Sequence, residues 1–192
     1  MQIRDEKAAL RSRIRKLLKD MPDSERKAQS RSACERLVGL PEFHDSSLIL
    51  AYMAMRTECD PAYAVQLAWD FKKRVAFPLC AGEGELRFYI PDDGSAFVHG
   101  MYGILEPDTK RSKLIKAHDI DFMIVPGVAY GLDCRRLGQG GGYYDRVLSD
   151  TRAYAVGLCF DIQVCGGVPW EPHDARVNCV VSAAGCIFQR KE

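Results

Sequence analysis

A chain of 192 residues with 47% hydrophobic and 28% charged positions is long enough to bury its own core, so residues 1–192 read as one globular domain. Lys and Arg outnumber Asp and Glu by only 27 to 26, which excludes the broad positive field of a non-specific nucleic-acid binder. No apolar run approaches the ~18 residues of a membrane span, and the opening MQIRDEKAALRSR carries charge where a secretory signal places its apolar core. The expectation is a cytoplasmic protein without membrane or nucleic-acid partners.

Along the chain, residues 4–20 place Leu10, Ile14, Leu17 and Leu18 at helical spacing among basic residues, an amphipathic helix with a charged outer face. A second helix starts near Asp23 or Ser24, turns Cys34, Leu37 and Val38 inward, and stops at Gly39 and Pro41. SLILAYMAM (47–55) is a continuous apolar run, the pattern of a strand buried on both faces. Asp60 and Pro61 then cap and open a helix with Ala64, Leu67, Ala68 and Phe71 on one side.

VAFPLC (75–80) reads as a strand, ELRFYI (85–90) alternates like an antiparallel edge strand, and DFMIVPGVAY (121–130) is a third buried run. YYDRVLSD starts a helix, AYAVGLCF (153–160) is a strand, and NCVVSAAGCIF supplies a last one. Strands alternating with helices predict an α/β domain of three layers, Rossmann-like, with a mainly parallel sheet and ligands at the carboxyl ends of its strands. Cys34, Cys59, Cys80, Cys134, Cys159, Cys165, Cys179 and Cys186 include no C-x-x-C pair, and with no export signal they read as reduced, mostly buried thiols.

The most informative stretch is RRLGQGGGYYDR (135–146). A plain turn needs one or two glycines, whereas Gly138, Gly140, Gly141 and Gly142 together let backbone N–H groups approach a ligand and form an anion-binding concavity at a helix start. It is not a Walker loop, which ends in Gly-Lys-Ser/Thr. The dinucleotide pattern fits at Gly138 and Gly140 but meets Tyr143 at its third glycine, although Asp161 stands at a strand end about 20 residues on, as a ribose-binding acid would. A nicotinamide oxidoreductase is therefore one alternative reading; a non-catalytic binding module is another.

VPGVAYGLDCRRLGQGGGYYDR resembles the signature of the 5-formyltetrahydrofolate cyclo-ligase family. KAALR (7–11), MAMRTECDP and PWEPHDARVN (169–178) resemble three further segments of that family in the same order, so the likeness spans nearly the whole chain. It implies a fold like that of sugar-phosphate isomerases and coenzyme A transferases. It also implies a monomeric, ATP- and Mg2+-dependent ligase that converts 5-formyltetrahydrofolate to 5,10-methenyltetrahydrofolate through a phosphorylated formyl group, releasing ADP and phosphate.

Carried over residue by residue, the resemblance assigns ATP to Lys7, Arg11 and the run Arg136, Leu137, Gly138, Gln139, Gly140, Gly141, Gly142, Tyr143, Tyr144. It assigns the folate to Met55, Glu58 and the loop from Gln139 through Gly140, Gly141 and Gly142 to Tyr143, and Mg2+ to Asp145 and Asp174. The chemistry agrees with these residue types. Phosphoryl transfer needs a backbone cradle, cations on the phosphates and one or two carboxylates for magnesium. Lys7 and Arg11, four apart, share a helix face, and Glu58 after a buried strand is suited to accept pterin N–H groups. His173 beside Asp174 reads as a structural hydrogen-bonded pair and stays outside the catalytic set. Some members carry a basic residue inside the loop, where this chain has Gln139 and Gly141, so the flanking arginines are expected to meet the phosphate charge.

Overall fold

The computed structural model describes residues 2–82, 84–100 and 105–190. The chain opens with α1 (Ile3–Asp20) and α2 (Asp23–Val38), followed by the short α3 (Pro41–Asp45). On α1, Leu10, Ile14 and Leu18 are buried, while Leu17, about 60° from the centre of that stripe at its edge, is 47% exposed. Pro41 does more than end α2: its fixed φ opens the next helix, α3, whose Phe43 is fully buried. At the α1–α2 turn the buried Arg26 guanidinium donates to the carbonyls of Leu18 and Met21, satisfying acceptors that the end of α1 leaves unpaired.

The first buried run forms a strand only over β1 (Leu48–Leu50). Residues 51–55 lie beyond it on the path to the site, and α4 (Ala62–Asp70) follows, with the Asp60 carboxylate accepting the Ala62 N–H at 2.9 Å. Ala64 and Ala68 are buried, but Phe71 lies past the helix and is half exposed. Next come β2 (Arg74–Gly82), β3 (Glu85–Pro91), the hairpin β4 (Phe97–His99) and β5 (Leu105–Pro107), and β6 (Ser112–Ile115). The run 121–130 divides into β7 (Phe122–Val125) and β8 (Ala129–Gly131), because Pro126 interrupts the ladder. After β9 (Arg136–Leu137) stand α5 (Tyr143–Ser149), β10 (Tyr154–Leu158) and β11 (Val164–Cys165). The apolar tail is a hairpin, β12 (Cys179–Val181) with β13 (Cys186–Phe188), rather than one strand.

Eight strands form one sheet in the order β13-β12-β10-β7-β1-β2-β3-β6. The five from β12 to β2 are parallel, β13 and β3 run antiparallel to them at the two ends, and β6 pairs antiparallel with β3. β6, a strand with weak alternation, takes the edge that β3 was expected to hold. Alternation along the parallel strands splits the core. Ile49, Phe122, Ile124 and Val156 face α1–α4, whereas Leu48, Leu50, Met123 and Val125 face the side covered by Tyr144, Val147 and Leu148 of α5. Burying each such side chain stabilises the fold by about 1.5–3 kcal/mol. A small sheet, β11-β8-β9, carries the chain from the end of β7 into the glycine loop. Cys34, Cys59, Cys134, Cys159 and Cys179 are buried, Cys165 and Cys186 partly so, and Cys80 is exposed; all eight are free thiols.

Candidate active site

The glycine loop joins β9 to α5 at the carboxyl end of the parallel sheet. Gly142 is the N-cap of α5 with φ +67°, and Gly140 has φ +111°, both in backbone regions that side-chain-bearing residues enter only with strain. Arginines grip the loop by its carbonyls: Arg11 Nε donates to Gly138 O at 2.9 Å, and Arg146 donates to Gly141 O at 2.9 Å.

Two cavities flank this loop. One, about 240 Å3 and mostly apolar, is walled by Tyr52, Met55, Glu58, Leu86, Tyr143 and Tyr144 among others. The other is a broader polar trough of about 970 Å3, lined by Arg4, Lys7, Arg11, Arg146, Glu171 and Asp174 together with neighbouring residues. Gly138, Gly142 and Asp145 line both, so the loop is their common wall.

On the apolar side, Glu58 Oε2 accepts the Met55 N–H at 3.0 Å, which turns the carboxylate back over the residues after β1. Burial raises the Glu58 pKa, partly opposed by the Met55 N–H and the Gln139 amide. Gln139 is held in turn by Arg15, which donates to its Oε1 at 2.6 Å. Tyr144 lies on this side, and its buried hydroxyl has no partner among the described residues.

In the trough, Lys7 is only 6% exposed, a level lysines tolerate when paired. Its ammonium donates to Glu171 Oε2 at 2.7 Å and to Asp174 Oδ2 at 2.5 Å. Burial works against its charge, but the bonds to Asp174 and Glu171 outweigh burial and raise its pKa. Burial, then the neighbouring Arg15 charge, lowers the pKa of Arg11. Asp174 Oδ2 also accepts the Glu171 N–H at 2.7 Å, closing a tight turn. Asp145 Oδ1 accepts from Arg136 at 2.8 Å and from the Ala175 N–H at 3.2 Å, so Asp145 stands against the residue following Asp174.

Several expectations are revised by this geometry. Arg136, assigned to phosphate, is 4% exposed with its guanidinium committed to Asp145 and the Pro126 carbonyl, and it borders the apolar cavity. Arg135 turns to Asp133 and Trp170. The cations lining the trough are instead Arg4, Lys7, Arg11, Arg146 and Arg176. Among the ATP-assigned residues, Leu137 and Gly140 line the trough, whereas Gln139, Gly141, Tyr143 and Tyr144 line the apolar side.

His173 is no hydrogen-bonded pair: its ring is 72% exposed, 3.8 Å from both acids. Asp161, the ribose acid of the dinucleotide reading, accepts the Ala184 N–H and caps the β12–β13 turn. Sequence reading did not assign Glu171, Arg4 or Arg146. The spacing 4, 7, 11 on one helix was the available signal for Arg4.

The donor set fits a magnesium ion. Oxygen atoms of Glu171 and Asp174 and a His173 nitrogen lie within 4.8 Å of one another, with Asp145 adjoining, and carboxylates are the hard ligands Mg2+ takes.

A family model described as the 5-formyltetrahydrofolate cyclo-ligase family matches residues 3–183. The chain is 29% identical to a probable 5-formyltetrahydrofolate cyclo-ligase of Schizosaccharomyces pombe, with 92% of each chain covered. It is 26% identical to a 5-formyltetrahydrofolate cyclo-ligase of Haemophilus influenzae, covering 86% of this chain and 91% of the relative. Among solved structures, the 5,10-methenyltetrahydrofolate synthetase of Aquifex aeolicus superposes with TM-score 0.86 at 28% identity, over 97% of this chain and 94% of that one.

Proposed function

The chain belongs to the 5-formyltetrahydrofolate cyclo-ligase family, and from that premise we propose which of its residues carry each part of the reaction. The enzyme closes 5-formyltetrahydrofolate to 5,10-methenyltetrahydrofolate at the expense of ATP. A formamide oxygen is a poor leaving group. It therefore takes the terminal phosphoryl group of ATP, releasing ADP. The second folate nitrogen then attacks the same carbon and expels phosphate.

In this reading the apolar cavity holds the pterin, with Glu58 accepting its N–H groups and Met55 and Tyr143 against the ring. The trough holds the phosphates, with Lys7 and Arg11 as cations and the glycine backbone as cradle. Asp174, with Asp145, would hold Mg2+, and the chemistry the ion would supply there is neutralisation of the phosphate charge. Gln139 and Gly141 face the pterin side, and the loop's missing basic residue is replaced by the cations of the trough. Arg136 serves the loop by fixing Asp145 rather than by meeting phosphate.

The observation that carries the reading is the shared lining: Gly138, Gly142 and Asp145 border both cavities, so the two adjoin at the glycine loop, where a formyl oxygen held in one can be brought against a phosphoryl group held in the other. We further propose that residues 1–192 act as one cytoplasmic, monomeric domain, of the layered type found in sugar-phosphate isomerases and coenzyme A transferases. The test follows methenyltetrahydrofolate absorbance on mixing 5-formyltetrahydrofolate, ATP and Mg2+, omitting each in turn. Full turnover without the metal would exclude the assigned ion. Binding of both ligands without turnover would identify a non-catalytic binding module.

A further inference from the structure

Between β11 and β12 the chain runs for 13 residues without a strand or helix, yet it carries Glu171 and Asp174, whose carboxylates meet Lys7. Such a segment needs something to fix it, since irregular backbone otherwise samples many conformations. Backbone bonds from Ala175 and Val177 hold its far end, and Trp170 holds the turn that carries the acids. Arg135 and Arg176 form an antiparallel bridge, and residues directly opposite in such a bridge put their side chains on one face. Both guanidiniums reach the same indole, Arg135 Cζ at 5.0 Å and Arg176 Cζ at 5.8 Å from the ring centroid. The indole Nε1–H then donates to the Asp174 carbonyl at 3.0 Å.

The turn is closed at three further points. Asp174 N–H donates to Glu171 O at 2.9 Å, Glu171 N–H donates to Asp174 Oδ2 at 2.7 Å, and Lys7 bridges both carboxylates. The indole bond ties this small cage to Arg135 on the β9 side of the glycine loop, beside the Arg135–Arg176 bridge and the Ala175 N–H bond to Asp145. Trp170 itself lines neither cavity as the residues above do.

We propose that Trp170 is a positioning residue for the acids of the trough: clamped by Arg135 and Arg176, its N–H fixes the Asp174 carbonyl and aims the Glu171 and Asp174 carboxylates at Lys7 and the bound nucleotide. The proposal rests on the reading of the trough as the ATP–magnesium site. An outer group that orients a ligand-bearing residue typically changes affinity or activity by about 10-fold to 100-fold when removed.

Trp170→Phe keeps an aromatic ring between the arginines and deletes the N–H. The KM for MgATP is expected to rise about tenfold while the folate KM stays within about twofold. Trp170→Ala, which removes the clamp as well, is expected to raise it further. A second readout uses the Trp69→Phe background, which leaves Trp170 as the single tryptophan of the chain, Trp69 being a partly exposed residue of α4 outside both cavities. A non-hydrolysable ATP analogue with Mg2+ is expected to change the Trp170 emission.

Equal rises in both KM values in Trp170→Phe would mark a general structural role and overturn the proposal. An unchanged ATP KM, with emission that still responds to the nucleotide, would overturn it while leaving the trough reading intact. If Lys7→Met also left the ATP KM unchanged, the trough reading itself would fall, and this proposal with it.

Discussion

The change Asp145→Asn separates a carboxylate that merely begins a helix from one built into the site. From the sequence, an acid in the first turn of α5 is worth under about 1 kcal/mol through the helix dipole. In the structure its Oδ1 accepts from Arg136 at 2.8 Å, and the Arg136 side chain is only 3% exposed against 20% for Asp145. Asparagine leaves that guanidinium charge in a low-dielectric wall, hydrogen-bonded to the Pro126 carbonyl at 3.1 Å but without its counter-ion. Removing one partner of a buried pair costs more than the pair contributes, and some exposure of Asp145 moderates it, so about 2–4 kcal/mol is expected. For a chain of this length that lowers Tm by roughly 5–12 °C. The assay is urea and thermal unfolding of Asp145→Asn, Arg136→Met and the double variant. The double variant no longer buries an unpaired charge, so it should be more stable than the sum of the singles by about 2 kcal/mol. A loss under about 1 kcal/mol in Asp145→Asn, or strictly additive changes, would refute the buried-pair argument.

Other substitutions report on each side of the loop. Glu58→Gln should weaken folate binding about 100-fold and ATP binding less than threefold, measured by calorimetry, because a charge-assisted bond is lost on one side only. Burial holds the Glu58 carboxyl above its ordinary 4.5, and the ionised form is the acceptor. Folate affinity is therefore full above that raised value and lost as pH falls through it, at higher pH than an ordinary glutamate would give; an affinity flat down to pH 4 would contradict this. Gly142→Ala puts a Cβ at φ +67° and 3.1 Å from the Arg146 guanidinium, which should cost about 1–2 kcal/mol of stability in urea titration and reduce turnover. Lys7→Met should raise the ATP KM at least tenfold yet tighten Mg2+ binding in the absence of ATP, since the ammonium now held by Glu171 and Asp174 no longer competes. Unchanged metal affinity in a direct titration would show that the acids do not take the ion.

Sequence by itself determined what depends on neighbours along the chain. The periodicity of α1 and α2, the apolar runs of β1, β7 and β10, and the glycine-rich loop opening α5 were legible because each is a local pattern written within one element. It erred where a long-range partner decides the outcome. Pro126 divides an apolar run that composition alone would leave whole, and β6 rather than β3 takes the edge because of sheet order, which no single strand encodes. The residues that the fold gathers around the glycine loop were legible as a motif, but which of the two cavities each one lines was not. Arg136 stands in the motif as one more cation, yet the fold buries it against Asp145, and Glu171 gains its partner only once α1 brings Lys7 across 164 positions to meet it. Charge is a property of a residue type, whereas what a charge faces depends on which elements the sheet brings together, and that is settled only when the chain has folded.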